Sequence, residues 1–217
     1  MFDFIIEMMA SALTFFYNLT ATLGFANYGI AIILLTAAIK MAIYPLTAKS
    51  VKSMKAMQDL QPKMKELQEK YKGNPEKLNK ELASLYKEQG VNPFSGCLPL
   101  LLQMPILIAI FFAIRDFQYL SQPTFLIWKD LGQPDPTYIL PVLAAATTYY
   151  QSKQTTTDTT SQQNKMMLYM MPLFIGYITT QFPAGLGLYW VVSNLVQIAQ
   201  QWWMYRTPAQ AAGEATK

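Results

Sequence analysis

Histidine is absent from the 217-residue sequence, and cysteine occurs once, at Cys97. A disulfide within the chain is therefore impossible, and zinc sites or thiol–imidazole catalysis lack the side chains that they need. Charged residues are also scarce: they make up 14% of the sequence, whereas soluble proteins carry about 25%. Hydrophobic side chains reach 52%. This composition is typical of a membrane protein rather than of a soluble domain.

The few charges are distributed unevenly. Ten of the seventeen Lys and Arg residues lie between Ala48 and Pro93, which separates one polar segment from long uncharged stretches. The net charge is +4, and the lysines lack the arginine-rich, aromatic-interleaved pattern of nucleic-acid sites, so nucleic-acid binding is not expected. The N-terminus carries Asp3 and Glu7 and has no basic region, so we do not expect a cleavable signal peptide there.

Five segments are apolar over a length close to the roughly 20 residues that a membrane helix needs. The predicted spans are residues 28–46, 97–114, 136–152, 166–182 and 184–205. The third is short and polar for a span. Between the last two, Phe182-Pro183-Ala184-Gly185 predicts a tight turn because Pro and Gly interrupt the pattern. Residues 207–217 form a short tail.

The basic residues also predict the orientation of the spans. With the N-terminus outside and the C-terminus inside, the inner segments hold fourteen of the seventeen Lys and Arg residues. The outer segments then hold only Arg115 and Lys129, and Lys40 lies within a span. Because cytoplasmic loops carry the excess of positive charge, this arrangement is favoured over its inverse.

Residues 1–26 have the pattern of an amphipathic helix at the outer membrane interface. Apolar side chains from Phe4 to Leu19 recur at helical spacing, and the polar residues fall mostly elsewhere. The alternative is an additional span. Asp3 and Glu7 argue against it, and a sixth span would spoil the distribution of positive charge.

Residues 48–93 predict a cytoplasmic helical hairpin. Apolar residues from Val51 to Tyr71 step by threes and fours between Lys, Gln and Glu side chains. Gly73-Asn74-Pro75 then ends this helix, caps the next one and starts it, and a second apolar stripe runs from Leu78 to Tyr86. A solvated linker is the alternative, and the stripes on both arms make it the weaker interpretation.

Lys40 is the most informative residue because a charge within a span costs about 2.5–3.5 kcal/mol on insertion scales. Thr36, Lys40 and Tyr44 are spaced four residues apart, which predicts one polar helix face. Lys40 could instead reach the inner headgroups by snorkelling, since it lies six residues from the end of the predicted span. On this helix alone the two interpretations are evenly matched.

Two other spans favour a functional role for Lys40. Gln103 is the strongly polar side chain of the second span. In the last span, polar residues recur at three- and four-residue intervals: Trp190, Ser193, Asn194, Gln197, Gln200 and Gln201. Polar groups facing lipid would be unpaired. Hydrogen bonds between helices are the alternative, but three polar faces and a cation together favour a hydrated cavity.

Motifs in family order resemble the YidC/Oxa/Alb family of membrane-protein insertases. They cover most of residues 27–206 and are Asn27-Tyr28-Gly29, Ile39-Lys40-Met41-Ala42-Ile43-Tyr44-Pro45-Leu46-Thr47, Leu60-Gln61-Pro62-Lys63, Val91-Asn92-Pro93, Gly96-Cys97-Leu98-Pro99-Leu100-Leu101-Leu102-Gln103-Met104-Pro105, Phe182-Pro183-Ala184-Gly185 and Leu188-Tyr189-Trp190-Val191-Val192-Ser193-Asn194. The resemblance implies an all-α membrane protein whose five helices form an inward-open hydrophilic groove.

The resemblance also implies residue roles. Lys40 falls at the position of the positively charged residue of the groove. Many bacterial members have Arg there, so the point charge of an ammonium group replaces the bidentate contact of a guanidinium group with a carboxylate. Gln103 and Trp190 fall at groove-lining positions. The candidate substrate-binding residues are Lys40, Gln103, Trp190, Thr36, Tyr44, Asn194, Gln197 and Ser193. The sequence has no counterpart of the large periplasmic domain of many Gram-negative members or of a long basic C-terminal tail, so a minimal bacterial form is expected.

The expected function is insertion of nascent membrane proteins into the bilayer of a bacterial inner membrane, without a cofactor or metal. The ribosome and the general secretion translocon are possible further partners. A small transporter or channel is the main rival, and a structural assembly factor without translocation is another. An enzyme is the weakest interpretation, because no nucleophile–base pair, metal cluster or phosphate loop is apparent.

Overall fold

The computed structural model describes residues 2–92, 98–115, 117, 119, 123–156 and 162–206. Across those ranges the chain is helical, and its only β pairings are the isolated bridges between Phe125 and Trp128 and between Pro134 and Pro183. The all-α prediction is confirmed. Three predicted features lie outside the described residues: Cys97 at the start of the second predicted span, Pro93 at the end of the predicted hairpin, and the predicted cytoplasmic tail at 207–217.

The first two helices form one wall of the core. Helix α1 (Phe2–Thr22) ends before Gly24, which adopts φ +89°. Helix α2 (Tyr28–Ala42) begins at Asn27, whose side chain accepts a hydrogen bond from the Ile30 amide. One face of α1 is buried against α2 and against α5 (Leu98–Arg115), and Tyr17 stacks on Tyr28 with ring centroids 4.0 Å apart. The amphipathic pattern of residues 1–26 thus has a packed face.

The chain bends by 64° where α2 gives way to α3 (Tyr44–Lys70). Pro45 lies in the first turn of α3, where a backbone N–H has no partner within the helix, so its absence does not weaken α3. The same proline prevents α2 from continuing. The predicted span 28–46 is therefore broken at Ile43. Helix α4 (Pro75–Glu88) follows, with the Asn74 side chain accepting from the Lys77 amide and the Tyr86 hydroxyl 3.7 Å from Met64 Sδ on α3.

The C-terminal half is a closely packed set of helices. Helix α6 (Ile139–Thr155) packs against α8 (Met171–Thr179) and α9 (Ala184–Arg206), and α9 also packs on α2. Helix α7 (Gln162–Lys165) continues into α8 through a π-helical turn at Met166–Met170. These helices begin and end within about four residues of the predicted spans, a usual error for boundaries.

The segment from Pro123 to Tyr138 covers one end of the bundle. Its Leu131 and Gln133 carbonyls accept from the amides of Gly185 and Ala184, at 2.8 and 2.7 Å. These bonds hold the segment against the first turn of α9. Phe125 lies so close to Gly29 that any side chain at position 29 would collide with its ring. The segment therefore seals the bundle at the start of α2 and α9.

Among the described residues, one helix, Asp3–Thr22, is long and apolar enough to cross a membrane, and the number rises to two if the bent pair α2–α3 counts as a span. Apolar stretches of the other predicted spans are shorter, as at Gln103–Arg115 and Met166–Thr179. The five-span count, the interfacial position of residues 1–26 and the orientation remain predictions.

Candidate functional site

Lys40 lies at the meeting point of α2, α5 and α9. Its side chain is buried, with 4% of its surface exposed. The ammonium Nζ donates to Gln197 Oε1 at 3.1 Å and to Gln103 Oε1 at 3.3 Å. The Lys40 side chain therefore points into the bundle toward two side-chain amides, as the cavity hypothesis expects, and not along the helix toward its end, as the snorkelling alternative expects.

Further hydrogen bonds fix the amides around Lys40. Gln103 Nε2 donates to the Tyr189 hydroxyl at 2.6 Å, so the Gln103 oxygen is turned toward the ammonium. Gln200 Nε2 lies 3.4 Å from the Lys40 carbonyl oxygen. Because an amide side chain offers both a donor and an acceptor, Gln103 bonds Lys40 through its oxygen and Tyr189 of α9 through its nitrogen.

A second polar cluster joins α6 to α9. Asn194 Nδ2 donates to Thr148 Oγ1 at 2.9 Å and to Thr147 Oγ1 at 3.0 Å. The indole Nε1 of Trp190 donates to the same Thr148 hydroxyl at 3.1 Å. Hydrogen bonds of this kind between helices are worth about 0.6 kcal/mol each on average in membrane proteins. The cluster orients Trp190 and Asn194 along one wall.

The two clusters border a cavity of about 210 Å³. Six of the eight predicted site residues line it: Lys40, Gln103, Trp190, Ser193, Asn194 and Gln197. Thr36 and Tyr44 do not. Thr36 is fully buried and its hydroxyl bonds the Ile32 carbonyl of its own helix at 2.6 Å. The bend at Ile43 moves Tyr44 off the face that the four-residue spacing predicted.

One wall of the cavity was not predicted from the sequence. Helix α6 contributes Thr148, Gln151, Ser152 and Thr155. Their spacing of three and four residues indicates one polar face of a helix. In the sequence analysis above, however, the polarity of this segment was taken only as a sign that it is a poor membrane span. Further lining residues came from the last helix and from three methionines: Gln201, Met54, Met167 and Met171. Nothing in the spacing of the methionines pointed to a shared cavity.

The electrostatics of the cavity are one-sided. Its lining contains the ammonium of Lys40 and, among the described residues, no carboxylate. Only neutral oxygens solvate the charge, although a buried cation is normally paired with an anion. Such a cavity suits an anionic group that arrives from outside the protein. The coulombic attraction is also stronger there than in bulk water, because the surrounding dielectric constant is lower.

Comparisons with known proteins found similar sequences and a similar fold. The sequence model of the family described as "60Kd inner membrane protein" matches residues 6–211. The chain is 46% identical over 206 residues to "Membrane protein insertase YidC 2" of Bacillus anthracis, which covers 92% of this chain and 79% of that protein. It is also 46% identical over 200 residues to "Membrane protein insertase YidC" of Pelodictyon phaeoclathratiforme, with 86% of this chain and 34% of that protein covered.

A solved structure has a similar fold. The "Active YidC insertase crystal structure with the first transmembrane domain resolved" superposes with a TM-score of 0.71 at 32% sequence identity. The match covers 89% of this chain and 45% of that one. The chain thus spans most of one curated relative but well under half of several longer ones.

Proposed function

The chain belongs to the family described as "60Kd inner membrane protein", whose curated members related to it are named YidC membrane protein insertases, and from that premise we propose that it inserts nascent membrane proteins through the cavity around Lys40. The observation that carries this proposal is a buried ammonium group held by neutral amides at 3.1 and 3.3 Å, in a cavity whose described lining residues include amides and hydroxyls but no carboxylate.

The first step of the proposed mechanism is capture of a short hydrophilic segment of the client. Transfer of backbone groups and polar side chains from water into hydrocarbon is unfavourable in free energy, because they lose their hydrogen bonds to water without gaining new partners. A polar cavity reaching into the bilayer shortens the apolar distance that the segment must cross. Lys40 then attracts acidic residues in the segment, and the amides beside it exchange their bonds for bonds to the client.

The second step is release of the adjoining apolar span into lipid. Outward faces of the bundle carry exposed apolar side chains, such as Met104, Leu173 and Leu195, at 45–68% exposure. A client helix can pass from the cavity along these faces without meeting polar groups. Burial of its apolar surface in lipid, at about 25 cal/mol per Å², drives the release, and neither nucleotide nor covalent chemistry is required.

The setting proposed for this cycle is a bacterial inner membrane, with the N-terminus outside and the C-terminus in the cytoplasm. The membrane potential then draws each negative charge of the client outward by about 2.3 kcal/mol per 100 mV. The α3–α4 arm, with ten lysines between residues 48 and 93, faces the cytoplasm and receives clients. The ribosome and the general translocon are proposed as partners on that side.

The proposal is tested by reconstituting the full chain in vesicles and measuring insertion of a single-span client with an acidic translocated tail. Lys40→Glu reverses the sign of the charge and should lower insertion at least about tenfold, since a unit charge pair at 4 Å is worth about 4 kcal/mol at an intermediate dielectric constant. Lys40→Arg should support insertion. Lys129→Glu, at an exposed position, is the matched control. Full insertion by Lys40→Glu would discard the mechanism.

A further inference from the structure

Gln201 is a buried amide that no group of the described residues satisfies. Its side chain is fully buried in α9 and lines the cavity around Lys40. Neither Nε2 nor Oε1 has a hydrogen-bond partner among the described residues. Most buried polar side chains in native proteins are paired, so an amide with both ends free requires an explanation.

Three other amides of the same cavity are engaged. Gln103 and Gln197 accept from Lys40, and Asn194 donates to two threonine hydroxyls. Burying an amide without a partner costs about 1–3 kcal/mol in proteins. Leucine is close to glutamine in size and would avoid that cost. The glutamine at position 201 therefore suits a partner that enters the cavity and is not part of the resting protein.

The chemistry of the free group identifies this partner. A carboxamide accepts through its oxygen and donates through its nitrogen, and it carries no charge. The group that matches it is another amide. In an antiparallel sheet, the N–H and the C=O of one extended residue can both form hydrogen bonds with the residue opposite it, because the two groups point to the same side. A single carboxamide can occupy both positions.

We propose that Gln201 binds the main chain of the client segment, accepting from the N–H and donating to the C=O of one extended residue. This inference rests on the proposed function and deepens it, because it assigns a contact that does not depend on the client's charge. Lys40 would select acidic clients, whereas Gln201 would serve any sequence. Every client has a polypeptide main chain, and its N–H and C=O groups are costly to transfer into an apolar medium when they have no hydrogen-bond partners.

The surroundings of Gln201 fit a sequence-tolerant contact. Met54, Met167 and Met171 line the same cavity, and methionine adapts to many shapes because it is unbranched and polarizable. Client side chains of different size can therefore flank the bound residue. Thr155, also in the lining, has its hydroxyl 3.0 Å from the Ser152 carbonyl of its own helix, so it does not compete for the client backbone.

The test uses a client whose translocated tail has no charged residues, so that attraction to Lys40 plays no part. Successive tail residues are replaced by α-hydroxy acids, which exchange one backbone N–H for an ester oxygen. With the wild-type protein reconstituted in vesicles, we expect one or a few adjacent ester positions to lower insertion by about three- to tenfold, the value of one hydrogen bond. With Gln201→Leu, the uniform amide client should insert that much more slowly, and the ester positions should cause no further loss.

Controls separate this contact from a structural role. Gln201→Leu removes an unsatisfied buried amide, so its thermal unfolding midpoint should equal or exceed that of the wild type. Gln181→Leu, at an exposed turn, should insert the client normally and keep the ester pattern. A flat ester scan with the wild type, or an unchanged scan with Gln201→Leu, overturns the inference while leaving insertion by Lys40 intact. If the wild type inserts no client above protein-free vesicles, the proposed function falls as well.

Discussion

Asp135 shows how single residues shape the end of the bundle away from the lysine-rich arm. Its Oδ1 accepts from the Thr137 amide and hydroxyl, at 2.8 and 2.6 Å, and its Oδ2 accepts from the Leu140 amide at 2.8 Å. Burial by itself raises the pKa of Asp135, but the hydrogen bonds from Thr137 and Leu140 outweigh it and lower the pKa below the usual range. The carboxylate thus caps the start of α6.

We expect Asp135→Asn to lower the free energy of unfolding by about 1 kcal/mol at neutral pH, because a neutral amide replaces the carboxylate that accepts charge-assisted hydrogen bonds from Thr137 and Leu140. Because the folded pKa lies below the unfolded value of about 3.9, this contribution is complete above the unfolded value and is lost as the pH falls through the folded one. Unfolding in detergent, measured for both proteins from about pH 7 to about pH 3, should show curves that run parallel and then converge below about pH 4. Curves that diverge on acidification would contradict this role.

At the residue scale the sequence predicted the polar core of the site better than its edges. Lys40, Gln103 and Gln197 were found because charged and amide side chains are conspicuous in apolar helices, and they meet within hydrogen-bond distance. Tyr44 was predicted to share a helix face with Lys40, but the chain bends between α2 and α3, so helical spacing does not extend from Lys40 to Tyr44. The sequence placed Gln201 on the polar face of the last span but not among the candidate site residues, because its lack of a partner among the described residues is visible only in the structure.

At the scale of the elements, two glycines determine how closely the C-terminal helices approach. A Cβ at Gly176 would lie 3.0 Å from the Ala145 Cβ and 3.3 Å from the Pro141 carbonyl, both on α6. A Cβ at Gly187 would lie 3.0 Å from Thr179 Cγ2. Small residues let membrane helices pack through their backbones, where dispersion and hydrogen bonds replace the hydrophobic drive. The α6–α8 contact therefore depends on the absence of a side chain at Gly176.

We expect Gly176→Val to lower the free energy of unfolding by about 1–3 kcal/mol, because the added methyl groups force α8 away from α6. The matched control is Gly73→Val in the turn between α3 and α4, where nothing lies within 4 Å of the added Cβ; its change should stay within about 0.5 kcal/mol. Denaturant unfolding in detergent measures both. Equal effects at the two positions would show that α6 and α8 tolerate separation.

The bend between α2 and α3 marks the limit of element prediction from this sequence. Pro45 was visible, but hydrophobicity continues through Leu46, so the span was extended four residues past the observed end of α2. The α3–α4 turn was easier, because Asn74 and Pro75 give the start of α4 directly. Local chemistry predicts caps well, whereas the direction of a chain after a proline depends on packing that is remote in sequence.

At the scale of the whole molecule, the predicted spans and the observed helices differ in how apolar they are along their length. The all-α class was implied by the family resemblance and agrees with the long apolar segments. The number of spans does not follow from length alone, since one described helix, or two with the bent pair, passes that test. The polar residues that build the cavity on α6 and α9 are also what lowers the apolarity of those helices. The same residues therefore support the proposed function and make these helices harder to recognise as membrane spans.

The orientation can be tested by labelling with a membrane-impermeant maleimide. In a Cys97→Ser background, Lys129→Cys should react from outside intact cells, and Gly73→Cys should react only after permeabilisation. This follows because the lysine-rich arm is retained on the cytoplasmic side. Reaction of Gly73→Cys in intact cells would reverse the proposed topology.

The account depends on the client's hydrophilic segment occupying the cavity beside Lys40. The most direct measurement is photo-crosslinking of a stalled nascent chain with an acidic tail, from a probe replacing either Trp190 or Leu195. Both lie on α9, but Trp190 lines the cavity and Leu195 is 51% exposed on the outer surface. We predict that the tail crosslinks to the probe at 190 and not to the probe at 195. Crosslinks of the tail to 195 alone would contradict the proposed route.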